Sequence, residues 1–243
     1  MNVIAIFGPT GVGKTGVALA LAELLRQKGE DPVAISCDAL QVYEGLGTLT
    51  GAATSEEQER LEHRLVGFVP VTEPFSVGDY MRIAHREIDG SLESGRRPIV
   101  VGGTGLYLRA AIAELSLVKA PPGNEDSELW APDTRHPTTI FGLEMDRGAL
   151  YESIDARTEA IVRAGAADEA RRAEEAGPSR TARKALGFDE LLAGDVERMK
   201  KRSRNYARRQ LTWMRKMAGV RTIDRGGRRD EDVAAEILAS LGE

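Results

Sequence analysis

The chain has 243 residues, 33 Lys and Arg against 38 Asp and Glu, a formal net charge of −5 and 42% hydrophobic residues, a globular composition at a length that suits one large domain or one domain with an appendage. A membrane span needs ~18 uninterrupted apolar residues, whereas the most apolar stretch, Pro98 to Leu117, is broken by Arg109 and Glu114, and the N-terminus lacks a basic leader, so a cytoplasmic protein is expected. Cys37 is the single cysteine and His63, His85 and His136 are scattered, which leaves no soft-ligand set for zinc; any metal is held by oxygens.

In chain order, Val3 to Phe7 is a short apolar run ending at Gly8, and Val17, Leu21, Leu24 and Leu25 then recur at helical spacing from Thr15 to Gln27. This reads as strand, loop, helix. Gly29 and Pro32 punctuate before Val33 to Ser36, whose unbroken apolar character suits a buried parallel strand. Ser76 is placed to cap a helix striped by Val77, Tyr80, Met81, Ala84, Ile88 and Leu92, and Ile99 to Val101 follows as another buried strand. Strands alternating with amphipathic helices predict an α/β fold with a parallel sheet flanked by helices and ligands at the strands' carboxyl ends. From Ser116 to Thr138 no period holds, which predicts a long surface connection. Beyond it the chain reads as helical: Leu150, Ile154, Ile161 and Val162 mark one helix, Met199, Ser203, Tyr206, Gln210, Trp213 and Met217 another, and Asp230 to Leu241 a terminal one.

Gly8, Pro9, Thr10, Gly11, Val12, Gly13, Lys14 and Thr15 spell GxxxxGK[ST] between a predicted strand and a predicted helix. The glycines let successive backbone NH groups face an anion, the helix N-terminus adds positive potential, Lys14 brings a mobile charge and Thr15 a hydroxyl for Mg²⁺. A polyphosphate or pyrophosphate is expected there. The motif alone suggests nucleotide or ATP binding, yet it reads phosphates and not the group they carry. Asp38 follows the second predicted strand closely, where a carboxylate binds Mg²⁺, holds a substrate hydroxyl or caps a turn. Between Lys200 and Lys216 stand eight basic residues (Lys200, Lys201, Arg202, Arg204, Arg208, Arg209, Arg215 and Lys216) and no acidic one.

Four runs taken together, GPTGVGKT, ISCDALQVY from Ile35 to Tyr43, GGTGLYLRA from Gly102 to Ala110 and RNYARRQLTWMR from Arg204 to Arg215, resemble the tRNA dimethylallyltransferases. The resemblance covers most of the chain. It implies a P-loop NTPase-like core and transfer of a dimethylallyl group from dimethylallyl diphosphate to N6 of an adenosine beside the tRNA anticodon. Residues 8–15 then hold the donor's diphosphate, with Lys14 touching it and Thr15 touching Mg²⁺ as cofactor. By the same resemblance Asp38 accepts a hydrogen from the attacking amine and Thr10 contacts the leaving oxygen. The run LYESIDAR, Leu150 to Arg157, resembles the family's LYxRIxxR helix, whose last arginine reaches the diphosphate; that role falls to Arg157, while Ser153 stands where the family has another arginine. The chemistry suits these residue types: an adenine amine is a weak nucleophile helped by a carboxylate on its NH, and a departing diphosphate needs fixed positive charge.

For the acceptor, the resemblance implies tRNA contacts at Asp38, Ala39, Leu40, Gln41 and Thr104, at Lys184 in the run RKALGF, and at Arg204, Arg208 and Arg209 on a phosphate-binding basic helix. Gln41 carries the amide for a bidentate contact to adenine. Tyr206, Trp213 and Met217 read as core, and the three histidines receive no role. Three parts are expected: 1–115 as the P-loop core, 116–138 as a connection too short for the family's usual helical insertion, and 139–243 as a helical part completing the core and the tRNA face. No obligate protein partner is evident, and a monomer is expected. Free AMP, ADP or ATP as acceptor is the alternative, favoured by the short connection and opposed by the basic helix. A small-molecule P-loop kinase and a non-catalytic RNA-binding protein are weaker readings.

Overall fold

The computed structural model describes residues 1–116 and 127–242. Its elements run β1 (Val3–Phe7), α1 (Lys14–Gln27), β2 (Pro32–Ser36), α2 (Gly47–Thr50), α3 (Ser55–Arg60), β3 (His63–Arg64), α4 (Val77–Glu93), β4 (Arg97–Gly102), α5 (Gly105–Ile112) and α6 (Ser127–Trp130). They continue with β5 (Thr138–Glu144), α7 (Arg147–Arg163), α8 (Ala166–Glu175), α9 (Phe188–Leu192), α10 (Val196–Lys216), β6 (Val220–Asp224) and α11 (Asp230–Ser240). The strands form one parallel sheet in the order β3-β2-β4-β1-β5-β6.

Burial follows the period of two in β1. Ile4 and Ile6 pack with α1 and α11 on one face, and Val3, Ala5 and Phe7 pack with α4 and α5 on the other. A third apolar cluster, containing Val42, Tyr43, Leu46, Leu49, Phe188 and Met199, ties α2, α8, α9 and the start of α10 into a wall beside the sheet's carboxyl edge. Helix α4 starts where its sequence predicts: Ser76 accepts from the Asp79 backbone NH, and the Asp79 carboxylate accepts from the Ser76 NH. β1 and β4 are neighbours, and the helices that follow them, α1 and α5, cover opposite faces of the sheet. A crevice therefore opens at the carboxyl ends of these two strands.

Segment 139–243 is not wholly helical, which corrects the sequence reading. β5 pairs with β1 from Val3↔Thr138 to Phe7↔Gly142, and β6 pairs with β5, so the sheet continues across the expected boundary near residue 138. The run TTIFGLE is rich in β-branched and aromatic residues, but Gly142 and the preceding Pro137 mask its pattern. β6 is an edge strand that buries only Ile223, so it has no apolar run to recognise. The short connection expected at 116–138 lies in part outside the described residues. No described helix is long and apolar enough to cross a membrane.

Candidate active site

The loop after β1 cradles the carboxyl-edge crevice, and a cavity of about 430 Å³ opens there, lined among others by Thr10, Lys14, Thr15, Asp38, Arg157 and Tyr206. Gly13 is the N-cap of α1 with φ +89°, a left-handed conformation that side chains other than glycine adopt only at a cost, and the loop turns on it. Lys14 Nζ donates to Gly8 O at 3.0 Å and Pro9 O at 2.9 Å, curled over its own loop. Burial, with a smaller contribution from Arg157, brings its pKa down to about 8, while the Asp38 carboxylate pulls the other way.

Arg157 comes from α7 and closes the loop from above. Its Nη1 donates to Thr10 Oγ1 at 2.5 Å, and its Nη2 reaches Thr50 O and Gly51 O, each at 3.3 Å. Burial lowers the guanidinium's pKa, while Asp38 and Glu57 raise it. One turn earlier on the same face, Ser153 Oγ donates to Gly11 O at 2.6 Å, so the serine that replaces the expected arginine fastens the loop's backbone. The carbonyl of Gly51 also accepts from Gln41 Nε2 at 3.3 Å, while Gln41 Oε1 accepts from Ser36 Oγ at 3.0 Å. Gln41 thus lines the cavity with its amide engaged on both sides, and the expected two-point contact to adenine is not presented in this arrangement.

Asp38 leaves the end of β2 in an Asx turn, its Oδ1 accepting from the Leu40 NH at 2.9 Å. Among the described residues its other oxygen has no hydrogen-bond partner, and Asp38 lines the cavity together with the cations Lys14 and Arg157. Thr104 sits across from it: its Oγ1 lies 3.1 Å from Tyr206 OH and 3.4 Å from the Ala39 nitrogen. Tyr206 lines the cavity instead of joining the core, in contrast to the sequence expectation. Burial first, then the Asp38 charge, pushes its phenol well above the usual range.

Gln210 is the residue that sequence reasoning missed. It is 4% exposed, its Oε1 accepts from the Thr10 NH at 2.8 Å and its Nε2 donates to Gly103 O at 2.7 Å, which joins the phosphate loop to the turn after β4 through α10. An uncharged amide on an apolar stripe must find partners once buried, and that was the available signal. Gln210→Leu leaves a buried donor and a buried acceptor unpaired, so a loss of about 1–3 kcal/mol is expected, read as a lowered Tm together with weaker donor binding.

The remaining sequence candidates lie apart from the cavity. Arg204 pairs with Asp155 of α7 at 2.6 Å, and Lys184, Arg208 and Arg209 are exposed. Of the eight basic positions from Lys200 to Lys216, Lys200 and Arg202 also find carboxylates, whereas among the described residues Lys201, Arg208, Arg209, Arg215 and Lys216 have none within salt-bridge distance. None of the three histidines lines the cavity. Among the described residues there is no group of three or more His, Cys, Asp and Glu able to hold a metal; Thr15 and Asp38 are among the cavity-lining residues that carry oxygens.

The model of the IPP transferase family matches residues 41–131 and 123–217, and that of the isopentenyl transferases matches 1–68. A tRNA dimethylallyltransferase of Lactococcus lactis is 33% identical over 279 aligned positions, covering 92% of each chain. This chain belongs to the IPP transferase family. Another family member, the tRNA dimethylallyltransferase of Limosilactobacillus fermentum, is 32% identical, again over 92% of each chain. The solved tRNA isopentenylpyrophosphate transferase of Bacillus halodurans superposes with a TM-score of 0.84 at 28% identity, covering 99% of this chain and 96% of that one. A eukaryotic dimethylallyltransferase described as acting on tRNA shares the fold, with a TM-score of 0.78 at 20% identity over 98% of this chain and 77% of that one. The Lactococcus alignment is longer than this whole chain of 243 residues, so that IPP transferase has internal residues with no counterpart here. The two stretches matched by the family model overlap at 123–131.

Proposed function

We propose that the chain transfers the dimethylallyl group of dimethylallyl diphosphate to N6 of an adenosine adjacent to the anticodon in tRNA, releasing diphosphate. The observation that carries this reading is the meeting of Thr10, Lys14, Asp38 and Arg157 on one cavity in a chain whose relatives are tRNA dimethylallyltransferases. In the reaction the N6 lone pair forms a bond to the allylic C1, the C1–O bond breaks, and its electron pair leaves with the diphosphate. The amine's proton passes to Asp38, whose position at the end of β2 is fixed by the Leu40 NH. The loop NH groups, Lys14 and Arg157 stabilise the charge that grows on the leaving group, and Thr10, held by Arg157, contacts the bridging oxygen.

Mg²⁺ fits the donor set as a hard cation taking oxygens: Thr15 would hold it with the donor's phosphates. When bound it supplies further neutralisation of the diphosphate. The same reading makes the protein a cytoplasmic monomer.

The acceptor lies toward Thr104, Tyr206 and the exposed side of α10, where Arg208 and Arg209 have no carboxylate within salt-bridge distance among the described residues and Arg209 lies over the Tyr206 ring. Arg208→Ala and Arg209→Ala are each expected to weaken tRNA binding several-fold and to reduce the salt slope by about 1. Arg204→Ala, acting on the Asp155 pair, is expected to leave that slope unchanged; filter binding over a range of salt concentrations reads both. A second reading, free adenylate as acceptor, is favoured by the shortened connection and the isopentenyl transferase match over 1–68. Competition between unmodified tRNA and AMP for labelled donor separates them. Label in tRNA is expected, and label in AMP alone would replace the first reading with the second.

A further inference from the structure

Outside the cavity, the turn between β6 and α11 presses an ion pair against the back of the phosphate loop. Arg225 Nη2 and Asp230 Oδ1 are 2.8 Å apart. A methyl group added at Gly16 would lie 2.1 Å from Asp230 Oδ2, so the carboxylate rests on the first turn of α1. A methyl at Gly13 would lie 3.4 Å from Arg225 Nε, so the guanidinium rests on the loop's last turn. That Nε is buried and, among the described residues, without a hydrogen-bond partner, while Nη1 donates to Arg228 O. Leaving a buried N–H unpaired costs free energy, and a Cβ at Gly13 would stand in van der Waals contact with it. Neither Arg225 nor Asp230 lines the cavity.

We propose that Arg225 is a positioning residue for donor binding: it neutralises Asp230 on the first turn of α1 and so preserves the loop's attraction for diphosphate. The proposal rests on the reading of the loop as the diphosphate site. Both anions, the carboxylate and the diphosphate, draw on the positive potential of the same helix terminus, and that potential acts mainly within one turn. With Arg225 in place the carboxylate is part of a neutral pair. Without it, a free negative charge sits within one turn of the bound anion, and at such separations in a partly shielded site this weakens anion binding on the order of tenfold.

The experiment is calorimetric titration of inorganic diphosphate, and steady-state turnover with dimethylallyl diphosphate and tRNA, for wild type, Arg225→Gln, Arg225→Lys and the double variant Arg225→Gln/Asp230→Asn. Arg225→Gln is expected to weaken diphosphate and raise the donor KM about tenfold, with kcat within twofold of wild type. Arg225→Lys and the double variant are both expected to return to within about twofold of wild type, because each removes the uncompensated charge in its own way. A merely structural arginine would not be rescued by deleting a second side chain. Wild-type affinity in Arg225→Gln, or a double variant as weak as the single one, overturns the proposal. If Arg225→Gln does not fold, the Lys variant decides: affinity more than fivefold below wild type overturns the charge argument. A wild-type protein that turns over donor but shows these contrary results fails only this inference, whereas one that binds no diphosphate fails the reading of the loop as well.

Discussion

Asp38→Ala abolishes transfer, lowering kcat by about 10²–10⁴-fold, the range spanned by a positioned general base, while dimethylallyl diphosphate still binds. The expectation follows from geometry. Asp38 is held by one oxygen on the Leu40 NH and lines the same cavity as Lys14 and Arg157, the cations proposed to hold the donor. Its removal takes away the acceptor for the amine's proton but leaves the loop NH groups, Lys14 and Arg157 in place. Donor affinity is therefore expected to rise slightly if it moves at all, since a negative charge near the diphosphate has been deleted. Single-turnover kinetics with donor affinity measured separately checks this. Full turnover in Asp38→Ala would remove the residue from the mechanism.

The second large effect belongs to Arg157, and it can be reached from two directions. Arg157→Ala deletes a fixed cation from the leaving-group side and is expected to cost about 2.7–4 kcal/mol in the barrier, or roughly 10²–10³ in kcat. Gly51→Ala should produce most of that loss without touching the arginine. Gly51 has φ +60°, and a methyl there would lie 1.8 Å from Arg157 Nη2, so either the guanidinium or the backbone after α2 must move. The end of α2, whose Thr50 and Gly51 carbonyls form the shelf under Arg157, is fastened by Glu169 of α8, which accepts from the Thr48 and Leu49 NH groups at 3.0 and 2.8 Å. If the shelf fixes the arginine, the double variant is no worse than Arg157→Ala alone, whereas additive losses in a double-mutant cycle would show that Gly51 acts elsewhere.

The parts of this architecture that could be read from sequence are those in which one local requirement dominates. The phosphate loop needs glycines, a lysine and a flanking strand and helix, and nothing else in the chain meets that pattern. β1, β2 and β4 are buried on both faces and announce themselves as apolar runs, and α4 carries its own capping box. β5 and β6 were illegible for opposite reasons: the first is interrupted by Gly142, and the second lies at the edge with a single buried side chain. Asp38 was visible by position, but its part in the chemistry came from the resemblance of four motifs, as did that of Arg157. Gln210 and Gly51 were invisible as site residues. Gln210 occupies a core position by period, and Gly51 follows a four-residue helix with no period to read. Their importance is set by partners more than 100 residues away in the chain, which only the fold brings together.

The basic helix shows the same division. Eight cations stand between Lys200 and Lys216, and the structure sorts them into those paired with carboxylates of α7, α9 or their own helix, namely Lys200, Arg202 and Arg204, and those with no carboxylate within salt-bridge distance among the described residues. On the proposed reading, that exposed remainder together with Thr104 and Tyr206, whose hydroxyls lie 3.1 Å apart, is the surface a tRNA would meet.

The most direct test is to incubate the purified protein with dimethylallyl diphosphate, Mg²⁺ and unmodified tRNA, digest the tRNA, and locate the product by mass spectrometry. N6-dimethylallyladenosine is expected at the position adjacent to the anticodon, and is expected to be absent in the Asp38→Ala reaction. Unmodified tRNA after complete incubation with a folded protein that binds the donor would contradict the proposed transfer.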